Sequence, residues 1–316
     1  MPSILLHLVP ASMYAALGAH FWRTRWHPSG TTPRRGLSTA ERAALLVALL
    51  AHGVVLHGEL FPGQGMHFGF GTAPRRGLST WERGALLTAL LAHGVALHGE
   101  LFPGGGMHFG FGTALSLMVW LAVLFYWIED FFSRLDGLQT FVMPAAAICV
   151  LLPGFFPPPM LLDKAGSPAF RAHFIVAMLA YSLFTLATLH ALLMAIAEKR
   201  LHHARLSTIF ASLPPLLTME HLLFRLIRIA FVLLTLTLIS GVVFSETLFG
   251  KAFQLDHKTV FAVISWLLFG ALLLGRRLWG WRGKLAQRWT LAGFITLMLA
   301  YVGSRFVVEV LLHRAA

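Results

Sequence analysis

Apolar runs of about 20 residues recur along the whole chain, and each can cross a hydrocarbon core of roughly 30 Å as an α-helix. In lipid, backbone groups must bond within their own segment unless strands close into a barrel. The runs are long and lack the period-2 alternation of barrel strands, so helices are expected. Composition agrees: 57% of residues are apolar and 12% charged, against about 25% charged in an ordinary soluble domain. Mean hydropathy is +0.73. The chain therefore reads as an all-α, polytopic transmembrane helical bundle of about eight spans. The apolar windows predict helices at 3–22, 84–102, 113–131, 141–155, 173–197, 225–247, 258–275 and 289–312, with one more apolar stretch at 43–60.

The formal charge of +12 would suggest nucleic acid in a soluble protein, but here Lys and Arg sit in short loops between spans. They are a topology signal, because such loops stay on the cytoplasmic side, and no nucleic-acid partner is expected. Arg23, Arg25, Arg34, Arg35 and Arg42 follow the first helix, Lys199, Arg200, Arg205, Arg225 and Arg228 the fifth, and Arg276, Arg277, Arg282, Lys284 and Arg288 the seventh. Loops near 154–172 and 248–258 hold only Lys164, Arg171, Lys251 and Lys258 and are expected outside, as is the N-terminus. In a bacterium this is a multi-pass protein of the inner membrane with a periplasmic N-terminus. Met1 to Trp22 has no basic start or small-residue cleavage site and reads as a retained first helix. Pro153 and Pro157 to Pro159 end the fourth helix, and Pro214 and Pro215 interrupt the long inner loop, since proline fixes φ and removes a donor.

A tandem repeat with a 41-residue period follows the first helix. Pro33 to Ala73 is repeated as Pro74 to Ala114 with changes only at Ala40/Trp81, Ala43/Gly84, Val47/Thr88, Val55/Ala96 and Gln64/Gly105. Solenoids show degenerate repeats in at least three copies, so two nearly identical copies point to duplication without new function. Each copy has a basic front and an apolar helix, and two consecutive spans cannot both run from inside to outside. The second copy joins directly onto the next span and is expected to insert, which displaces the first. The chain thus divides into 1–32 (first helix and inner loop), 33–73 (the duplicated copy) and 74–316 (the main transmembrane domain).

Histidine carries the functional signal. Of sixteen, His98, His108, His173, His257 and His313 fall at the outer ends of helices or in outer loops. Neutral imidazole ligates haem iron and divalent metals, although a histidine at a helix end is also an ordinary interfacial residue. His202, His203 and His221 read as headgroup neighbours on the inner side. His93 and His190 lie within spans, where polar groups are costly and either functional or bonded to a neighbouring helix. The single cysteine, Cys149, excludes an intrachain disulfide, a CxxC pair and CxxCH haem attachment. GxSxG, P-loop, HExxH and GxGxxG motifs are absent, so no catalytic residue is assigned. The Gly-Phe-Gly stretches read as tight turns with aromatic interface anchors, and Trp22, Trp26, Trp127, Trp279 and Trp281 as further anchors.

Three stretches carry a family resemblance. His173-Phe-Ile-Val-Ala-Met-Leu-Ala-Tyr181 resembles the histidine-led helix of the cytochrome c assembly family. The run from Ser245 to Thr259, followed by Ser265-Trp266, resembles that family's haem loop and next helix. Gly280-Trp-Arg-Gly-Lys-Leu-Ala286 and Tyr301-Val-Gly-Ser304 match the signatures of its last two helices. The chain is most similar to the HemX-like and YpjD-like branch, small eight-span proteins without the full haem loop. The resemblance implies His173 and His313 as an outer axial pair, His98 or His93 as an early-helix ligand, and haem b as the cofactor. It places Phe249 and Phe253 in a reduced aromatic platform without the family's tryptophans. Lys258 and Lys251 become propionate partners, while Glu246 and Asp256 are given to loop structure. The family's histidine before the arginine at the end of the following helix is missing, because the chain reads Leu273-Leu-Gly-Arg276.

The implied function is a haem-handling role in cytochrome c assembly or haem-protein biogenesis, without catalysis of attachment. Membrane lipid, haem and other cytochrome-biogenesis membrane proteins are the expected partners. The alternative is a regulatory or scaffold membrane protein without haem, acting on haem biosynthesis or a membrane complex. A histidine-lined metal transporter fits less well, because the inner half lacks a matching acidic or histidine pathway.

Overall fold

Among the described residues of the computed structural model, 2–26, 78–132, 137–156, 161–202, 216–243 and 256–312, seven helices are long and apolar enough to cross a membrane and one apolar helix is shorter. α1 spans Pro2–Phe21 and continues as a π-helical turn, Trp22–Trp26. α2 is Thr80–Leu101 and α3 Phe111–Phe132. α4, Gln139–Cys149, and α5, Leu152–Phe155, make up the shorter segment. α6 is Pro168–His202, α7 Leu216–Val243 and α8 His257–Trp279. α9, Gly283–Met298, is prolonged by π-helical turns at Leu299–Gly303 and Phe306–Leu311. The first repeat copy, 33–73, lies outside the described residues, as do Phe249, Phe253 and His313. The apolar stretch of the second copy forms α2.

Local chemistry sets the helix ends. α2 opens with a capping box: Ser79 Oγ accepts the Glu82 N–H at 3.4 Å, and Glu82 Oε2 accepts the Ser79 N–H at 2.7 Å, satisfying two otherwise orphaned donors. At α8, Asp256 Oδ1 accepts from both Thr259 N–H and Thr259 Oγ1–H at 2.8 Å. The fourth expected helix, 141–155, is shorter than a span. α4 and α5 together form one apolar helical stretch, Gln139–Phe155, close to the predicted bounds, with Pro144 inside it and a turn at Val150 and Leu151. α6 runs beyond the predicted 173–197 at both ends, and α7 begins ahead of the predicted 225. Their extra turns carry Arg171, Glu198 and Glu220, which meet water or an ion-pair partner and so extend past the apolar window.

α6 is the central helix: 72% of its most apolar window is buried, against 22% for α7 and α8, which present their faces outward. α1 and α2 pack antiparallel, as the pairs His7–Glu100, Tyr14–His93 and His20–Glu82 show by descending one helix while ascending the other. The hydrophobic core joins Tyr14 and Leu17 of α1, Leu86 of α2, Tyr126 of α3, Phe184 of α6, Ile227 of α7 and Phe269 of α8. Phe184 and Phe269 stack at 3.9 Å between ring centroids.

One end of the bundle is laced by ion pairs. Arg83 of α2 meets Asp130 of α3 at 2.9 Å, Arg225 of α7 meets Glu129 of α3 at 2.7 Å, Arg276 of α8 meets Glu220 of α7, and Lys284 of α9 meets Glu198 of α6 at 3.9 Å. Asp130 is buried and also accepts the Leu78 N–H. Removing Arg83 would leave that carboxylate without its charged partner, a change that costs about 3–5 kcal/mol for a buried pair. Six helices are thus tied together at this basic end. The opposite end holds the C-termini of α2 and α7, the N-termini of α3, α6 and α8, and the π-helical tail of α9.

Candidate functional site

His173 lies near the start of α6 at the end opposite the basic one. Its Nδ1 is 2.8 Å from Ser240 Oγ on α7. A Cβ added at Gly241 would stand 3.6 Å from its Cε1, so the last turns of α7 form the wall beside the ring. A histidine that ligates iron through one ring nitrogen is oriented by a hydrogen bond at the other, and Ser240 supplies such a bond.

Beginning at Phe170 and Phe174, on a different face of α6 from His173, a row of rings crosses this end of the bundle. Phe170 stacks on Phe174, Phe174 meets Phe109 edge to face at 4.9 Å, and Phe109 packs on Tyr301 at 5.9 Å. Phe109 and Phe111 belong to the Gly-Phe-Gly stretch expected to anchor at the interface, yet both are buried. The reason is the tail of α9. Glu309 Oε2 accepts the Phe111 N–H at 2.7 Å, and Phe306 lies 5.2 Å from the Phe111 ring, so the loop is drawn inward. Gly112 makes this possible, because a Cβ there would lie 2.8 Å from the carbonyl oxygens of both Leu152 and Phe156.

Charge enters through two residues that reading the sequence did not single out. Arg305 and Glu309 pair at 3.3 Å, one helical turn apart, with side chains only 9% and 7% exposed. Arg305 also lies 5.5 Å over the Tyr301 ring. Lys258, half-buried in the first turn of α8, is within electrostatic range of Arg305. Tyr301 and Glu309 both sit in π-helical turns, a backbone form frequent at functional sites. A signal for Arg305 was present: it is a charged residue directly after the Tyr301-Val-Gly-Ser304 signature, inside an apolar helix where such residues are costly and paired.

The other candidates fall elsewhere. His93 is buried between α1, α2 and α3, with Nε2 2.9 Å from Ser116 Oγ and its ring against Tyr14, so it and His173 occupy different seams. His98 is exposed on another face of α2, tilted against Phe102. His108 is tied to the backbone, its N–H donating to Leu101 O and its Nδ1 3.2 Å from Gly106 O. His190 holds helices together, with Nε2 2.9 Å from Met219 O. Asp256, just ahead of α8, has its pKa lowered: burial pushes upward, but hydrogen bonds from Thr259 and the charges of Lys258 and His257 outweigh it. Its role is the helix cap. The position of the missing family histidine, Gly275, has no room for a side chain, because a Cβ would lie 2.4 Å from the Trp281 ring. Among the described residues no group of three or more His, Cys, Asp or Glu could hold a metal ion.

The family model of the cytochrome C assembly protein matches residues 88–312. The chain is 31% identical over 166 residues to the inner membrane protein YpjD of Escherichia coli (strain K12), which is 52% of this chain and 62% of that protein. It is 32% identical over 158 residues to an uncharacterized 28.8 kDa protein of Azospirillum brasilense, covering 49% and 58%. A cytochrome c biogenesis protein CcsA of Prochlorococcus marinus is 38% identical over 89 residues, 28% of this chain and 29% of that one. The chain thus spans less than two thirds of the length of these relatives. No solved structure matches significantly.

Proposed function

The chain belongs to the cytochrome c assembly protein family, and on that premise we propose that it handles haem b at the end of the bundle opposite the ion-paired one, in cytochrome c biogenesis. The observation that carries this reading is the arrangement around His173. Its imidazole is oriented by Ser240, the rings of Phe174, Phe109 and Tyr301 cross the same end of the bundle, and Lys258 and Arg305 add positive charge near the Tyr301 end of that row. Imidazole, an aromatic face and cations are the donor set that an iron porphyrin with two propionates requires.

In this reading His173 would ligate the iron, the aromatic rings would line the site, and Lys258 would receive a propionate, with Arg305 as a second cation steadied by Glu309. Bound haem would supply a redox-active iron. The chain's own part is to orient the imidazole and to exclude water by the buried Phe109 and Phe111. His313 is proposed as the second axial ligand by its place in the sequence, while Phe249 and Phe253 extend the aromatic face. His93 and His98 are weaker candidates, since neither is brought to His173. The positive-inside rule places the basic end in the cytoplasm and the His173 end in the periplasm of a bacterial inner membrane, where the Escherichia coli relative is also named as residing. Lipid and other cytochrome-biogenesis membrane proteins are the proposed partners.

The test is the absorption spectrum of protein purified under haem-replete conditions. The parent should show a Soret band that His173→Ala reduces or shifts and His202→Ala, at the basic end of α6, leaves in place, at matched protein levels. A colourless parent would overturn haem binding and favour a regulatory or scaffold role in the same family.

A further inference from the structure

The seam between α1 and α2 holds polar groups apart from the His173 site. His7 is 1% exposed, Tyr14 0% and His93 0%. His7 Nε2 is engaged by Glu100 at 3.2 Å and His93 Nε2 by Ser116 at 2.9 Å. Each histidine therefore has one nitrogen committed, yet His7 Nδ1, His93 Nδ1 and the Tyr14 hydroxyl have no hydrogen-bond partner among the described residues. They share one seam: the Tyr14 and His93 rings meet edge to face at 5.7 Å, and His7 meets Glu100, two turns beyond His93 on α2. Tyr14 lies two turns below His7 on the same face of α1, and helix side chains lean toward the N-terminus, which lifts its hydroxyl toward His7.

Buried polar atoms are almost always paired, and leaving one unpaired costs about 1–3 kcal/mol. Three orphans in one seam make a ligand site. We propose that this seam is a hydrated internal site, in which ordered water bridges His7 Nδ1, Tyr14 Oη and His93 Nδ1.

Water matches the valences. In the tautomer that donates Nε2–H to the Glu100 carboxylate, His7 presents Nδ1 as an acceptor. His93, donating Nε2–H to Ser116 Oγ, likewise presents an acceptor, while Tyr14 presents an O–H donor. Water donates two hydrogens and accepts others, so it serves both nitrogens and the hydroxyl. Buried waters typically make about three such bonds.

The two ends of the seam differ. Toward the His173 end its last member, Glu100, keeps 16% of its side chain exposed. Toward the basic end, Leu17, Leu86 and Ala89, all fully buried, fill the seam before the His20–Glu82 pair is reached. Six residues of α1 separate Tyr14 from His20, about 9 Å of helix, so this apolar layer divides two polar stations. The upper station exchanges water with one aqueous phase, and the layer keeps it from the other.

Hydroxyl-radical footprinting by X-ray radiolysis of the full chain in lipid nanodiscs, read by mass spectrometry, tests this, because radicals generated from bound water oxidise the side chains touching it. Tyr126 is an internal control: it is also 0% exposed, but its hydroxyl already donates to Gln139 Oε1. Tyr14 should be oxidised several-fold faster than Tyr126, and the His93→Leu variant, lacking one acceptor, should slow Tyr14 while other sites keep their rates. Oxidation of Tyr14 at the Tyr126 rate in the folded parent overturns the proposal, and so does an unchanged Tyr14 rate in a folded His93→Leu protein. The parent comparison decides the matter even if the variant misfolds, and neither outcome depends on haem.

Discussion

Gly112→Ala should destabilise the protein although it adds one methyl group. The new Cβ would meet the carbonyl oxygens of Leu152 and Phe156, each at 2.8 Å, and the Leu152 carbonyl carbon at 3.0 Å. These neighbours are backbone atoms and cannot swing aside. The Leu152 oxygen is further fixed by accepting the Phe156 N–H at 2.8 Å. Either α3 and α5 part, or that turn opens. Overpacking of this kind costs about 1–3 kcal/mol, which at tenfold per 1.4 kcal/mol lowers the folded-to-unfolded ratio about 5- to 140-fold. Gly99→Ala is the matched control, since a Cβ there meets nothing within 4 Å. Alanine in a helix interior is favoured over glycine by up to about 1 kcal/mol, so that variant should be neutral or stabilised. Equilibrium unfolding in detergent, both variants against the parent, would measure the difference. Equal stability of the two would refute the close approach of α3 to α5. Because Gly112 sets the depth of Phe109 and Phe111, Gly112→Ala should also weaken whatever the ring row holds.

Three further outcomes are expected. An alkaline-phosphatase fusion at Gln287, beside the α8–α9 turn at the basic end, should be inactive, and activity there would invert the proposed orientation. Deleting 33–73 should leave membrane insertion and protein level unchanged, because α2 comes entirely from the second copy; degradation of the shortened chain, by immunoblot of membranes, would show that the first copy is needed. Asp256→Ala should cost about 1 kcal/mol through loss of the α8 cap, and the cap is strongest while ionised, since the protonated carboxyl is a weaker acceptor. Its folded pKa is depressed, so the contribution is complete above the unfolded value of about 4 and fades as pH falls through the folded value; a parent-to-variant stability gap that persists unchanged well below pH 4 would contradict it.

The spans were legible because length and apolarity alone decide whether a segment can cross lipid, and the antiparallel order follows from where the arginines sit. Helix ends were less legible. α7 begins at Leu216, ahead of the predicted 225, because Arg276 of α8 compensates Glu220, a partner 56 residues away that no local window contains. The segment 141–155 was legible as an apolar helix, Gln139–Phe155, shorter than the other spans, while its turn at Val150 and Leu151 left no mark in the hydropathy. His173 was visible as a histidine leading a helix, but its orienting partner, Ser240, appears only once α6 packs on α7. Arg305 and Glu309 were visible as an i,i+4 pair of opposite charges, and were missed because the helix around them is apolar.

The α1–α2 seam shows the limit most clearly. His7 and Tyr14 lie in a helix whose hydropathy is uniform enough to hide them, and His93 reads as an isolated polar residue in a span. Antiparallel packing alone aligns them, since the positions that meet, 7 with 100 and 14 with 93, have a constant sum. Two consecutive inside-to-outside copies in the repeat would allow either copy to offer its histidine and glutamate to α1, because His52 and Glu59 stand at the same places as His93 and Glu100. What separates the copies chemically is small: Trp81 replaces Ala40 and Thr88 replaces Val47. Trp81 packs its ring on His20 at 4.8 Å, and the Thr88 hydroxyl bonds back to Gly84 O. The tryptophan contact at the basic end is therefore the feature by which the second copy, with an alanine in the first, is the better partner for α1.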